Sequence, residues 1–157
     1  RGLIFQRPDL IVTRDRTRER FEIPRLQREI AILEPWIAGG HGCEKLPFSS
    51  RDWNCFALTT PRSRLVVAIQ SDAADGARQS LRLVDPGSSP TADAYLLRED
   101  GLSTLRRHRV AGGVRAEIVA PEPINIMVFT EDPLTVNYLG RSTAESARFT
   151  ATSQGRR

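Results

Sequence analysis

The spacing of hydrophobic positions changes near residue 47. Before that point, five apolar side chains recur at intervals of three and four residues: Ile23, Leu26, Ile30, Leu33 and Ile37. This spacing places all five on one face of a helix. Pro24 suits a first helical turn, and Pro35 limits the other end because the residue before a proline avoids the α region. The pattern predicts a helix over residues 24–34, too short to be stable alone, whose apolar face docks on the body or on a neighbouring chain.

From residue 47 to residue 139, short runs rich in Val, Ile, Leu, Phe and Thr alternate with turn residues, as in a series of β-strands. Candidate strands cover residues 53–60, 64–70, 77–84, 92–98, 102–110, 114–120, 124–130 and 134–139. In the sixth of these, Val114, Ala116 and Ile118 alternate strictly with Arg115, Glu117 and Val119. The run 124–130 is apolar on both faces apart from Asn125, which is typical of a strand covered on both sides.

This alternation of strand and turn, with only one clear helix, predicts a mainly β fold. We expect an antiparallel β-sandwich, jelly-roll-like or immunoglobulin-like, with one short N-terminal amphipathic helix. The 157 residues suit one domain. The predicted organisation is an extended arm over 1–22, the helix and a connection over 23–40, the sandwich body over 41–139, and a flexible C-terminal tail over 140–157.

Positive charge is carried almost entirely by arginine. The chain has 23 Lys plus Arg against 19 Asp plus Glu, and Lys45 is its one lysine. Arginine makes bidentate contacts with phosphate and carboxylate, although a GC-rich genome would also favour arginine codons. The charge concentrates in both terminal segments and in the run Arg106-Arg107-His108-Arg109. In an extended strand, Arg106 and His108 point to one side and the other two arginines to the opposite side.

Two interpretations of this run stay open. It is either a charged edge strand that resists edge-to-edge pairing, or a contact with an anion or an RNA backbone, which would be salt-sensitive. Aromatic residues for base stacking are scarce, at 6% of the chain. The candidate anion or nucleic-acid contacts of the second interpretation are Arg106, Arg107, Arg109, Arg156 and Arg157.

Residues that could carry catalysis or hold a metal do not form a recognisable pattern. The glycine-rich stretch 39–42 matches no phosphate-binding motif and is read as a connection. His41, Cys43, Cys55 and His108 could be assembled into a zinc set or a Cys–His pair, but their spacing matches no signature. The two cysteines are expected to be separate thiols rather than a disulfide. We therefore expect no metal, no cofactor and no catalytic residue.

Acidic residues that could act as paired catalytic carboxylates all fall in predicted turns: Asp72 with Asp75, Glu99 with Asp100, and Glu131 with Asp132. Catalytic acids need partly buried positions that shift their pKa. Turn carboxylates are usually solvated and bind nearby backbone groups, so we interpret these three pairs as turn chemistry.

Together these patterns favour a non-enzymatic structural or assembly subunit of a larger complex, of the type that forms a virus shell. Its arginine-rich termini would contact neighbouring subunits or nucleic-acid backbone, and the five-residue apolar helix face would contact a partner. The alternative is a carbohydrate- or ligand-binding β-sandwich accessory domain of a larger polypeptide; a third class is an enzyme whose site is not recognisable. The alternative's candidate aromatic platforms are Trp36, Trp53, Tyr95 and Tyr138.

Two further expectations concern the chain as a whole. No apolar run approaches the roughly 18 residues of a membrane span, so we expect none. The chain begins at Arg1 and its one methionine is Met127, so we expect a processed product or a piece of a larger protein.

Overall fold

The computed structural model describes residues 30–46, 53–70, 80–98, 101–111, 113–119 and 121–154. Nine strands and two helices occur within these residues. In chain order they are α1 (30–39), β1 (His41–Lys45), β2 (Trp53–Thr59), β3 (Ser63–Gln70), β4 (Leu81–Asp85), β5 (Asp93–Arg98), β6 (Gly101–Thr104), β7 (Arg107–Val110), β8 (Gly113–Ile118), β9 (Ile124–Thr130) and α2 (Pro133–Gln154).

The strands form two antiparallel sheets. The large sheet has six strands in the order β1-β2-β3-β9-β5-β6, and the small sheet has three in the order β4-β8-β7. Every strand pairing is antiparallel. The predicted mainly β, antiparallel class is confirmed, and the arrangement is sandwich-like rather than a closed barrel.

The first core cluster contains inward-facing residues of both sheets. The small sheet contributes Leu81 and Leu83 from β4 and alternate residues of β8, and the large sheet contributes Val66, Met127 and Phe129 among others. In β8, the predicted alternation is confirmed, because the first, third and fifth residues after Gly113 are buried. Burial of these apolar side chains between the sheets is the main force that holds the two together.

The second core cluster lies on the other face of the large sheet, where both helices pack. Its fully buried members are Ile32, Trp36, Leu65, Val128 and Leu139. The helices therefore form a third layer, and the central strands β3 and β9 are covered on both faces. This explains their nearly continuous apolar sequence. Strand β9 has two departures from this apolar pattern. Asn125 is buried and bonded to the backbone of Glu122, whereas the apolar Ile124 is 57% exposed.

The first helix ends later than predicted: α1 continues through Pro35 to residue 39. A proline inside a helix cannot donate to the carbonyl four residues earlier, which here belongs to Ala31. That carbonyl instead accepts a hydrogen bond from the Tyr138 hydroxyl of α2 at 2.8 Å. The tertiary contact thus replaces the lost helical bond, and the helix ends where Gly40 N donates to the Trp36 carbonyl.

Helix α2 replaces a predicted strand. Residues 134–139 are helical, so the strand prediction is wrong, and the helix continues to Gln154 through most of the segment assigned to the tail. Its start signal is Asp132-Pro133: the Asp132 carboxylate accepts hydrogen bonds from Leu134 N at 3.2 Å and from the Thr135 hydroxyl at 2.9 Å. An aspartate cap followed by proline in the first turn is typical of a helix N-terminus.

Two other boundaries differ from the sequence analysis. Strand β1 occupies His41–Lys45 and so includes the last two residues of the glycine-rich stretch 39–42 that was interpreted as a connection. The predicted strand over 102–110 is divided into β6 in the large sheet and β7 in the small sheet. Between them, Leu105 packs against the inter-sheet core, so the chain turns from one sheet to the other at Leu105 and Arg106. Among the described residues, neither helix is apolar enough over a sufficient length to cross a membrane.

Candidate nucleic-acid interface

Residues 107–109 of the arginine-rich run lie at the edge of the small sheet, because β7 pairs with β8 alone among the described strands. In the observed register, His108 lies opposite Arg115, and Arg107 lies opposite Ala116. Directly opposed residues of an antiparallel pair share a face. His108 and Arg115 therefore share the outer face, while Arg107 and Arg109 follow the inner face. The predicted alternation of side chains along the run is confirmed for 107–109.

Arg107 is occupied by contacts within the protein. Its Nε lies 2.8 Å from Asp93 Oδ1, and its Nη1 donates to the Pro90 carbonyl at 3.3 Å. Asp93 begins β5 of the large sheet. Arg107 thus joins the edge of the small sheet to the large sheet. An inward-pointing charge on an edge strand also discourages pairing with another chain.

The outer face of the small sheet carries one ion pair, between Arg82 Nε and Glu117 Oε1 at 3.0 Å. The hydrogen bond and charge of Arg82 lower the pKa of Glu117, and the nearby Arg115 and His108 side chains make smaller contributions in the same direction. Glu117 is therefore ionised at neutral pH and pairs with Arg82. Its proximity to Arg115 and His108 places all four groups on one surface.

We call the basic edge the group of Arg106, His108, Arg109 and Arg115. All three arginines are exposed. Five ion pairs join described residues, and the arginine of each lies outside the basic edge. Arg115 was missed as a candidate because it lies outside the basic run in sequence. The alternation over 114–119 would have placed it on the outer face, but only the strand register brings it beside His108. Because His108 and Arg115 lie opposite each other, an anion bound at this edge could accept hydrogen bonds from both side chains.

Several other predicted contact residues lie outside the described part of the chain: Arg156, Arg157, Ile23 and Leu26. Of the remaining helix-face residues, Ile30 is half-buried, Leu33 packs on the second core cluster and Ile37 is 42% exposed. The face of α1 that packs on the protein is centred on Ile32 and Trp36. Within the described residues, Ile37 is therefore the member of the predicted face that points most to solvent.

The cysteine and histidine candidates do not come together. Cys55 is a free, buried thiol whose pKa burial raises to about 11, so it is a poor nucleophile at neutral pH. His41 is exposed on β1, and His108 lies on the small sheet. The side chain of Cys43 is outside the described part. Among described residues, no group of three or more His, Cys, Asp or Glu side chains could hold a metal ion.

Of the three carboxylate pairs, only Glu131 and Asp132 lie within the described residues. Hydrogen bonds from Ser89 and Thr91 lower the pKa of Glu131, and the Thr135 hydroxyl is the main cause of a lowered pKa for Asp132. Both groups are charged at neutral pH. Asp132 serves as the cap of α2, so turn and cap chemistry accounts for its position.

The tryptophans proposed as carbohydrate platforms are part of the core. Trp36 is 1% exposed and Trp53 is 6% exposed, so neither offers a ring face to a ligand. Tyr138 uses its hydroxyl to join the two helices. A carbohydrate site built on these aromatic side chains would have to rely on Tyr95, which is half-buried beside Asp93 and Arg107.

Comparison with known proteins found no significant match to a family model, a curated protein or a solved structure.

Proposed function

We propose that this chain is a non-enzymatic assembly subunit of a larger complex, of the virus-shell type, and that its basic edge contacts nucleic-acid backbone. The observation that carries the proposal is the group of three exposed arginines with no ion pair to a described carboxylate. They gather with His108 at the β7 side of the small sheet: Arg106 lies just before β7, Arg109 on β7 and Arg115 on β8. Arginine binds phosphate bidentately and loses little hydration in doing so. An exposed basic sheet edge suits a backbone contact, which carries no sequence information.

The strand pairing supports a jelly-roll-like sandwich over an immunoglobulin-like one. The strands pair from the outside inward: β3 pairs with β9, and β4 pairs with β8. The chain also crosses from one sheet to the other after β3, β4, β6 and β8. Jelly rolls are double-sheet folds built from such wrapped Greek-key connections, and they are common in capsid proteins. This fold-level analogy adds to the proposal and does not replace the surface argument.

The helical layer supplies the surface that we assign to neighbouring subunits. It leaves Ile37 and Leu134 exposed at 42% and 64%. Next to Leu134, a depression of about 420 Å³ is lined in part by Pro35 and Tyr138. Exposed apolar side chains beside a depression are a feature of protein interfaces. The helical layer and the outer face of the small sheet lie on opposite sides of the large sheet, so a subunit could contact neighbours on one side and nucleic acid on the other.

Nucleic-acid contact is tested by fluorescence anisotropy with a labelled single-stranded RNA over a series of salt concentrations. We expect the triple variant Arg106→Gln, Arg109→Gln, Arg115→Gln to weaken binding and to reduce the slope of log K against log salt by about 2, the value for three lost contacts. The matched control is Arg62→Gln, Arg98→Gln, Arg141→Gln, which removes the same charge from three arginines that lie outside the small sheet. Equal losses of RNA affinity in the two variants would mean that binding depends on net charge alone. That result would contradict a defined contact surface.

Assembly is tested separately by size-exclusion chromatography with light scattering. We expect a large oligomer that dissociates when Ile37 and Leu134 are both changed to Ser, and also when residues 1–22 are deleted. Circular dichroism of the double variant controls for folding. A monodisperse monomer of the unaltered chain at micromolar concentration would contradict the assembly proposal, whatever the RNA measurement shows.

A further inference from the structure

A polar cleft opens at one end of the sandwich, where three connections meet: the β2–β3 turn, the β4–β5 connection and the β9–α2 junction. Its volume is about 670 Å³, within the roughly 300–1,000 Å³ of small-molecule sites. Hydroxyl side chains dominate the lining: Thr59, Thr60, Ser63, Ser88, Ser89 and Thr130. None of these six residues was a predicted site residue, because they come from three separate segments of the chain.

The floor of the cleft is a buried ion pair that closes the space between the sheets. Arg64 precedes the inward-facing Val66 on β3, and Asp85 ends the inward-facing row of β4. Arg64 Nε lies 2.8 Å from Asp85 Oδ1, with the two side chains 8% and 0% exposed. Thr59 Oγ1 accepts from Arg64 Nη1 at 2.7 Å, and the Ser88 hydroxyl donates to Asp85 Oδ2. The guanidinium and the carboxylate are thus held in one orientation.

Gly87 allows the β4–β5 connection to lie directly against this pair. A Cβ at this position would lie 2.4 Å from Arg64 Cζ and 2.5 Å from its Nη1, closer than real Cβ contacts allow. The backbone N–H of Gly87 also faces Asp85 Oδ1 at 3.3 Å. The loop that forms one wall of the cleft therefore depends on the absence of a side chain.

The charges that line the cleft nearly cancel. Arg62 and Arg64 are offset by Glu131 and Asp132 in the lining, and the fully buried Asp85 lies behind Arg64. Such a balance gives no strong preference for an anion or a cation. The hydroxyls can both donate and accept, the carboxylates accept, and the guanidinium groups donate. A ligand with several neutral hydroxyl groups matches this mixture, because it can satisfy donors and acceptors at once without burying an unpaired charge.

We propose that this cleft is a binding site for a neutral, polyhydroxylated ligand of the size of a mono- or disaccharide. Arg62 and Glu131 stand at its exposed wall, where they can bond to ligand hydroxyls, and the Arg64–Asp85 pair holds the inner wall in place. Pro61 and Pro133 supply the apolar surface that a sugar's C–H groups require. The site is separate from the basic edge, and this proposal is independent of nucleic-acid binding.

The test is ligand-observed saturation-transfer NMR, followed by calorimetry, with maltose, cellobiose, lactose and sorbitol. Inorganic phosphate and spermine serve as anionic and cationic probes. We expect at least one neutral compound to bind. Glu131→Gln is expected to weaken its affinity about tenfold, as for one charge-assisted hydrogen bond, and Arg62→Ala by a similar factor. Both substitutions lie on the surface and are expected to leave the fold intact, as circular dichroism would show.

The matched control is Glu122→Gln, which removes an exposed carboxylate before the start of β9, at the end of that strand away from the cleft. Its affinity is expected to equal that of the unaltered chain. Three results would overturn the proposal: no neutral compound binds, the cleft variants bind as well as the control, or phosphate or spermine binds to the cleft while the neutral compounds do not. Loss of binding in the cleft variants alone supports it, irrespective of the RNA and assembly measurements.

Discussion

The two sheets differ in how many of their faces are covered. The central strands of the large sheet lie between the small sheet and the helices, and β3 and β9 are buried along most of their length. The small sheet is covered on its inner face, and its strands alternate between buried and exposed residues. The outer face carries Arg82, Arg115 and Glu117 in place of apolar side chains.

This difference separates stability from recognition. Apolar side chains on both faces of the large sheet are removed from water, and they account for most of the hydrophobic stabilisation. Charges on the outer face of the small sheet add little to folding because exposed ion pairs are weak. The small sheet can therefore display arginines at little cost to folding, whereas the large sheet cannot. Substitutions in the two sheets should consequently have very different effects on stability.

The largest contrast is expected between Phe129→Ala in the large sheet and Arg115→Ala in the small sheet. Phe129 is 1% exposed, and its truncation should lower the free energy of unfolding by about 3–5 kcal/mol. Arg115 is exposed, and its truncation should change that free energy by less than about 0.5 kcal/mol. Urea denaturation followed by circular dichroism measures both. A large loss for Arg115→Ala would mean that the outer face is covered and would remove the distinction.

The next contrast uses two glycines with positive φ, Gly113 at 150° in the small sheet and Gly101 at 144° in the large one. Alanine at Gly101 meets open space, so only backbone strain of about 1–2 kcal/mol is expected. At Gly113 a Cβ would lie 2.1 Å from the carbonyl oxygen of Asp85, which adds at least about 1 kcal/mol of overpacking. Thermal unfolding of Gly113→Ala and Gly101→Ala compares them. Equal destabilisation by the two substitutions would show that the backbone around Gly113 shifts to accommodate the added methyl group.

A pH-dependent effect is expected from Cys55, which lies in the large sheet and faces the inter-sheet core. Burial raises its pKa from 9.0 to about 11, so the folded state favours the neutral thiol. The associated stability is present below pH 9 and is lost as pH rises toward 11, by an amount on the order of 2 kcal/mol. Urea denaturation at several alkaline pH values should show this decline, and Cys55→Ala should have a shallower one. If stability declined equally with pH in the unaltered chain and in Cys55→Ala, the thiol would be in contact with solvent.

The smallest effect concerns the helical layer that covers the large sheet. Tyr138→Phe leaves the Ala31 carbonyl without the hydroxyl that replaces the bond missing at Pro35, and we expect a loss of about 1 kcal/mol. Pro35→Ala restores a backbone donor to that carbonyl, so the same change should cost less in that background. A double-mutant cycle by urea denaturation measures the coupling. Additive effects would contradict the compensation of Pro35 by Tyr138.

Local patterns in the sequence correctly predicted whether a segment is a strand or a helix where one hydrophobic periodicity dominated. The alternation in β8, the two-sided burial of β9 and the strand conformation of residues 107–109 all followed from spacing alone. The errors occurred where a tertiary contact or a short start signal outweighed the pattern. The helix passes Pro35 because Tyr138 supplies a donor, and Asp132-Pro133 begins a helix in a stretch that resembled a strand followed by a tail.

Local sequence was enough to show which segments alternate and which are apolar throughout, because side-chain periodicity depends only on neighbouring residues. Which faces are covered and which polar groups meet depended on long-range packing. Arg115 joins the basic run through the register of β7 and β8, and Arg64 meets Asp85 because the ends of two strands in different sheets coincide. These encounters depend on the pairing and packing of distant segments, and no local spacing encodes them.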